Sequence, residues 1–197
     1  MYDYRKMTRE ERLSVLAARQ ARGYPLHEPP HKMIEAGEYH ITAACFEHQM
    51  IFDSPDLLSM LQDEILTALM NATDEVHAWC FLPSHYHVES KVSDRRAVSE
   101  ALRVTHSRIA TRVNGLQHAR GRRVFFQFAD RNMRSERHYW TTINYLHFNA
   151  IKHGFVDNPD DWPWSSWALF VAKYGREFME NLWKQHPLYD YGKGWDW

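Results

Sequence analysis

Apolar and polar positions along the chain alternate between a helical and a strand period. In SPDLLSMLQDEILTALMNA, Leu57, Leu58, Leu61, Ile65 and Leu66 recur at helical spacing behind Ser54 and Pro55, an amphipathic helix with its start signal in place. EVHAWCFL and HYHVESKV then read as strands that follow within a few residues of each other, which makes them antiparallel hairpin partners. Upstream, EYHITAACF reads as a first strand behind a Pro-rich connector, YPLHEPPHKMIEAG. Before that, TREERLSVLAARQARG offers a capping box of Thr8 with Glu11 and a helix ending near Gly23. Downstream, Ser93 caps a long helix over about residues 94–113, LQHARGRR is a basic loop, and VFFQFAD is a fourth strand or extended segment. Ser135 caps a further helix that runs to KHG, where Gly154 suits a left-handed end. Helical stretches follow around 166–174 and 176–185, and YDYGKGWDW closes the chain as an arm. The order α-β-α-β-β-α-(β)-α predicts an α+β fold, an antiparallel sheet with helices packed on its faces.

Composition narrows the class. With 197 residues, 44% hydrophobic and 14% aromatic, the chain is most simply one domain with extensions and not a disordered segment. The charged start MYDYRKMTREER has no apolar core of a secretory signal, and no apolar run reaches membrane-spanning length. Cys45 and Cys80 are too few for a disulfide framework or a thiolate zinc site, so a cytoplasmic protein is expected. The formal net charge of −1 hides an asymmetry: between Lys91 and Gly154 stand 13 Lys or Arg against 4 Asp or Glu. A basic middle is the footprint of a phosphate-rich partner, although a solvated helix face gives the same pattern.

Candidate chemistry starts at FLPSHYHVES. Side chains alternate along a strand, so His85, His87 and Glu89 share one face while Tyr86 and Val88 share the other. Two neighbouring imidazoles can hold one divalent ion if a third ligand arrives from elsewhere; without it the pair is an ordinary polar face. The helix ERHYWTTINYLHFNAIKHG offers a source. Tyr145 and Asn149, one turn apart, share a face with Lys152 and His138, and Trp140, Ile143 and Ala150 lie opposite. A solvated polar stripe is the alternative for that face.

LPSHYHV resembles the MPNHVHL signature of the HUH single-strand DNA nucleases, in which U is a bulky hydrophobic residue. INYLHFNAIKHGFV followed by DWPWSSW resembles the YIxxNPVKHGxV…WPxSS segment of the REP-associated tyrosine transposases, the single-tyrosine branch of that group. The resemblance covers about residues 36–175. It implies a ferredoxin-like or RRM-like HUH nuclease fold over residues 36–156, with a helical extension at 1–35 and a helical tail at 157–197. It also implies His85, His87 and Asn149 as ligands of Mg²⁺ or Mn²⁺, and Tyr145 as nucleophile. The chain departs from the pattern at Ser84 (Asn or Glu in the family), at Tyr86 in the bulky position, and at Ala150 (proline in the family).

The activity this resemblance implies is that of a metal-dependent nickase and strand transferase, acting on single-stranded, hairpin-forming palindromic DNA through a 5′-phosphotyrosine. Arg95, Arg96, Arg103, Arg108, Arg120, Arg122, Arg123 and Lys152 are the expected phosphate contacts, and Phe125, Phe126 and Phe128 are core residues before they are base-stacking platforms. The protein acts as a monomer or a homodimer, with the tyrosine meeting its own or a partner's histidines. Two other readings stay open: a hairpin-binding protein without turnover, and a phosphoesterase that uses activated water.

Overall fold

The computed structural model describes residues 7–21 and 36–192. The chain divides into two compact units, Met1–Glu35 and Ala36–Trp197. In the first, helix α1 (Arg9–Ala21) opens with the expected capping box: the Thr8 amide donates to Glu11 at 2.6 Å, and the Glu11 amide donates to the Thr8 hydroxyl at 3.3 Å. Most of the Pro-rich connector and the helix end near Gly23 lie outside the described residues.

The second unit takes in both the 36–156 and the 157–197 segments. Its strands are β1 (Gly37–Ala44), β2 (Glu75–Leu82), β3 (His85–Val92) and β4 (Ala129–Met133), in a fully antiparallel sheet ordered β2-β3-β1-β4. Strands β2 and β3 begin and end where the sequence places them, joined by the short Pro83-Ser84 turn. β4 lies later than VFFQFAD predicts. Phe125 makes only a single bridge to Cys45, and the ladder resumes at Ala129, so the aromatic run is an extended lead-in whose Phe125 and Phe128 pack against the core.

Two layers of helix cover the sheet. Helices α2 (Pro55–Ala72) and α3 (Arg95–Leu116) bury Leu58, Leu61, Ile65, Leu102 and Ile109 against Ile41, Phe81, Tyr86 and Val88. Ser54 caps α2 as expected, accepting from the Leu57 amide at 3.4 Å. The cap of α3 is Asp94 and not Ser93: Asp94 accepts from the Arg96 and Ala97 amides at 2.8 and 3.2 Å, while the Ser93 hydroxyl is turned to Asp74. A carboxylate is the stronger acceptor for the positive end of the helix.

The other face packs under α4 (Glu136–His147), the single turn α5 (Asn149–Lys152), α6 (Trp167–Tyr174) and α7 (Arg176–Gln185), which meet Ala78, Cys80 and Leu82. Ser135 caps α4, accepting from the His138 amide at 3.1 Å. The predicted single helix to KHG is broken at Phe148 (φ −100°, ψ 8°), and Gly154 ends it at φ 71°. DWPWSSW runs along the edge strand β2: the Phe81 amide donates to the Trp164 carbonyl at 2.8 Å, the Ser166 amide to the Trp79 carbonyl at 3.0 Å, and the Trp162 indole to the Phe81 carbonyl at 2.9 Å. The segment occupies backbone groups that an open edge would leave unpaired. Cys45 and Cys80 are free and buried, and no helix among the described residues is long and apolar enough to cross a membrane.

Candidate active site

The inner face of the sheet carries the chemistry. β3 is central and buried almost throughout, and its pairing sets Thr42 and Cys80 on either side of His87, and Ala44 and Leu82 on either side of His85. The two imidazoles stand with ring centroids 5.0 Å apart. Each has its Nδ1 engaged by a neighbour: the Ser84 hydroxyl lies 2.9 Å from His85 Nδ1, and His40 Nε2 lies 3.1 Å from His87 Nδ1. That leaves both Nε2 atoms facing the helix above. Outer partners of this kind set the tautomer and angle of metal-binding imidazoles.

Helix α4 and the turn α5 that follows it deliver the other groups. The Tyr145 hydroxyl comes to 3.5 Å from His87 Nε2, and Asn149 Oδ1 to 3.1 Å from His85 Nε2. Both side chains are fully buried, which removes the solvated-stripe reading of that helix face. The meeting is within one chain. The break at Phe148 starts α5 on Asn149, and Ala150 beside it is itself buried under the sheet. The amide nitrogen of Asn149 is buried without a hydrogen-bond partner, whereas its oxygen is aimed at the histidine pair. Two imidazole nitrogens and one amide oxygen, with further positions left for phosphate oxygens, form a donor set that fits Mn²⁺ or Mg²⁺.

Around Tyr145 the packing is close. His40 lies edge-on at 5.9 Å, Tyr191 at 5.7 Å, and the Lys152 ammonium sits 4.9 Å from the ring centroid. Lys152 also donates to the Gly192 carbonyl at 3.4 Å, and the Tyr191 hydroxyl bonds to Thr142. Gly192 has φ 78°, and a Cβ there would overlap the Tyr145 ring. The expected C-terminal arm is therefore packed as far as Gly192; only residues beyond it lie outside the described residues.

The predicted DNA contacts are dispersed. Of them, Lys152 stands at the tyrosine. Arg103 pairs with Glu100 and Arg108 with Glu64, at 2.6 Å or closer, on the helix that covers the opposite sheet face. Arg95 pairs with Asp130 at 2.6 Å. Arg122 is tied to Asn114 at 3.0 Å and to Gln117, holding the loop to α3. Arg123 lies over the rings of Phe46 and Phe126 at 4.9 and 5.2 Å. Arg96 and Arg120 are exposed.

Two features carry no signal in the sequence, and a third, Glu89, is placed on its face by strand alternation while its burial is not. His40 orients His87 only because of the β1–β3 register. Arg131, on the same sheet face through its pairing with His40, acts with Arg134 to hold His138 below the ordinary histidine value, burial being the larger cause. Glu89, two residues beyond His87, is fully buried, and burial followed by the neighbouring Glu38 pushes its carboxyl up to about 9.

No protein-family model matches the chain. Over 114 residues it is 28% identical to the REP-associated tyrosine transposase of Escherichia coli (strain K12), covering 58% of this chain and 67% of the relative. The solved structure of a REP-associated tyrosine transposase bound to a REP hairpin superposes with a TM-score of 0.58 at 22% identity, covering 74% of this chain and 86% of that one. In sequence and in fold the chain is similar to the REP-associated tyrosine transposases.

Proposed function

We propose that the protein is a transposase-type enzyme that nicks and rejoins single-stranded DNA at hairpin-forming palindromes, with Tyr145 as nucleophile. The observation that carries this reading is the approach of the Tyr145 hydroxyl to 3.5 Å from His87 Nε2, beside a second imidazole already met by Asn149. In the reaction, the Tyr145 oxygen attacks phosphorus and loses its proton, and the 3′-oxygen leaves and gains one. The products are a 5′-phosphotyrosine and a free 3′-hydroxyl. Attack by another 3′-hydroxyl reverses the step and rejoins the strand without an external energy source. A phenol with an ordinary pKa of about 10 needs assistance at neutral pH. Mn²⁺ or Mg²⁺ held by His85, His87 and Asn149 would supply charge stabilisation at the scissile phosphate.

The remaining roles fall to the chain's own residues. Ser84 and His40 hold the imidazoles in place, and Lys152 sets a positive charge beside the ring where negative charge develops. Arg95, Arg96, Arg103, Arg108, Arg120, Arg122 and Arg123 supply the wider positive field that draws a phosphate backbone, reduced where an acidic partner already neutralises them. Segment 36–156 supplies the reacting groups, while residues 157–192 brace β2 and cover the tyrosine. The enzyme would work in the cytoplasm, as a monomer or a homodimer.

One observation favours hairpin binding without turnover as a second reading: the Tyr145 ring is sealed beneath Gly192 and Lys152, so a phosphate reaches it only if those residues move. Incubating the chain with a labelled hairpin oligonucleotide and MnCl₂ separates the readings. A denaturation-resistant protein–DNA adduct is expected, lost in Tyr145→Phe while hairpin binding is kept. Binding without adduct in the wild type supports the second reading, and free cleaved product with an undiminished yield in Tyr145→Phe points to hydrolysis by water.

A further inference from the structure

A second cluster on the same sheet face lies toward the other end of β1 and β2, away from the Ala44 and Leu82 positions that flank His85. Strand β2 carries a bulge between Val76 and Ala78. Val76 packs with the α2–α3 core, and Ala78 already shares the face of Glu89. The extra residue, His77, is thereby turned onto that face as well. There its ligand nitrogen meets Glu38 of β1 and Glu89 of β3, the donor atoms of all three lying within 4.8 Å of one another.

We infer that Glu38, His77 and Glu89 form a second divalent-cation site, taking an ion of the Mn²⁺ or Zn²⁺ class. Three observations carry it. First, His77 Nε2 and Glu38 Oε2 are 3.1 Å apart, yet neither atom makes a hydrogen bond. Two donors that share one ion at about 2.1 Å each stand roughly 3 Å apart, with lone pairs aimed at the ion and not at each other. Second, Glu89 is fully buried and neither of its carboxylate oxygens has a hydrogen-bond partner. A buried carboxylate without partners is strongly unfavourable, and a cation held jointly with Glu38 and His77 removes that penalty. Third, Glu75 Oε1 stands 3.6 Å from Nδ1 of the same imidazole. At that separation Glu75 makes no hydrogen bond to the ring, and it adds a third carboxylate to the negative charge that favours a cation there.

One imidazole and two carboxylates suit Mn²⁺ or Zn²⁺ better than the all-oxygen preference of Mg²⁺ or Ca²⁺. The side chains of His77 and Glu38 keep 18% and 34% of their surface exposed while their facing Nε2 and Oε2 atoms are buried, so the site lies just beneath the surface. Once bound, the ion ties β1, β2 and β3 together where β2 is bulged. The competing account is a Glu89 carboxyl that burial and the neighbouring Glu38 keep protonated, with no ion bound.

The test counts bound Mn²⁺ by electron paramagnetic resonance on the full chain, stripped with EDTA and titrated with MnCl₂. The wild type is expected to bind two ions, and His77→Ala, at a partly exposed position, to bind one. Retention of both ions in a folded His77→Ala chain overturns the inference. The reading of the His85–His87 pair fails separately: His85→Ala would then bind as many ions as the wild type, while His77→Ala still loses one. If His77→Ala does not fold, anomalous diffraction from Mn²⁺-soaked wild-type crystals decides. A peak among the three side chains supports the site, and its absence there overturns it.

Discussion

His147 shows how a single buried residue connects the fold of the Tyr145 helix to pH. It is fully enclosed near the end of α4, with Nε2 2.9 Å from the Ser166 hydroxyl, and Ser166 in turn accepts from the Trp79 amide at 2.9 Å. This chain of contacts links the Tyr145 helix to the edge strand through the WPWSS segment. Burial lowers the imidazole from 6.5 to about 3. The native chain therefore keeps His147 neutral over a range where the unfolded chain has already bound a proton. The stability this residue provides is complete above about pH 6.5 and is lost as pH falls toward 3, about 2 kcal/mol by pH 5. Urea unfolding at pH 7.5 and pH 5 is expected to show that loss, and His147→Gln to lack its share of it. An equal loss in both chains would remove His147 as the cause.

At the scale of elements, α4 matters because it carries Tyr145 and leads directly into Asn149. Its start depends on Ser135, which accepts from the His138 amide at 3.1 Å. Ser135→Ala is expected to lower stability by about 1 kcal/mol, read from the urea midpoint. A loss below a few tenths would mean the cap is replaceable. Starts such as that of α4 are legible in the sequence because their signals are local: Ser135, Ser54 with Pro55, and the period-2 runs of β2 and β3 all lie within one stretch of chain, whereas the break at Phe148 carries no such signal. β4 is not, because Val124–Phe128 has strand-like composition, while the true ladder, ADRNM, is a polar edge strand fixed by pairing with β1. The histidine pair, Tyr145 and Asn149 are legible only jointly, through motif resemblance, since no single one of them stands out by composition. His40 and the Glu38–His77–Glu89 cluster are not legible, because they depend on register and on a bulge that only the three-dimensional sheet defines. The final turn misleads for a related reason: a Gly-rich aromatic end resembles an arm until tertiary contact fixes Gly192 against Tyr145.

Across the whole molecule, the sheet separates two jobs. One face meets α4 and holds the histidine pair with Tyr145 and Asn149; the other lies under α2 and α3, where Arg108 and Arg112 share Glu64. Glu64 and the neighbouring Asp63 offset the two guanidiniums, which stay more than half exposed and able to reach a phosphate, separated by the sheet from the Tyr145 hydroxyl. Lys152 lies 4.9 Å from the Tyr145 ring and can influence the bond-making step itself. Binding and chemistry should therefore respond to different substitutions. Arg108→Gln with Arg112→Gln is expected to weaken hairpin binding and to flatten its dependence on log salt by about one, since Glu64 and Asp63 already offset part of the two charges. The single-turnover rate of bound DNA should stay within about two-fold. Lys152→Gln should do the opposite, slowing adduct formation by about ten-fold or more with a smaller change in affinity. Titrations at several salt concentrations, paired with single-turnover adduct kinetics, measure both quantities. If the arginine pair instead governs the rate and Lys152 only the affinity, the hairpin must contact the molecule in a way this division of faces does not allow.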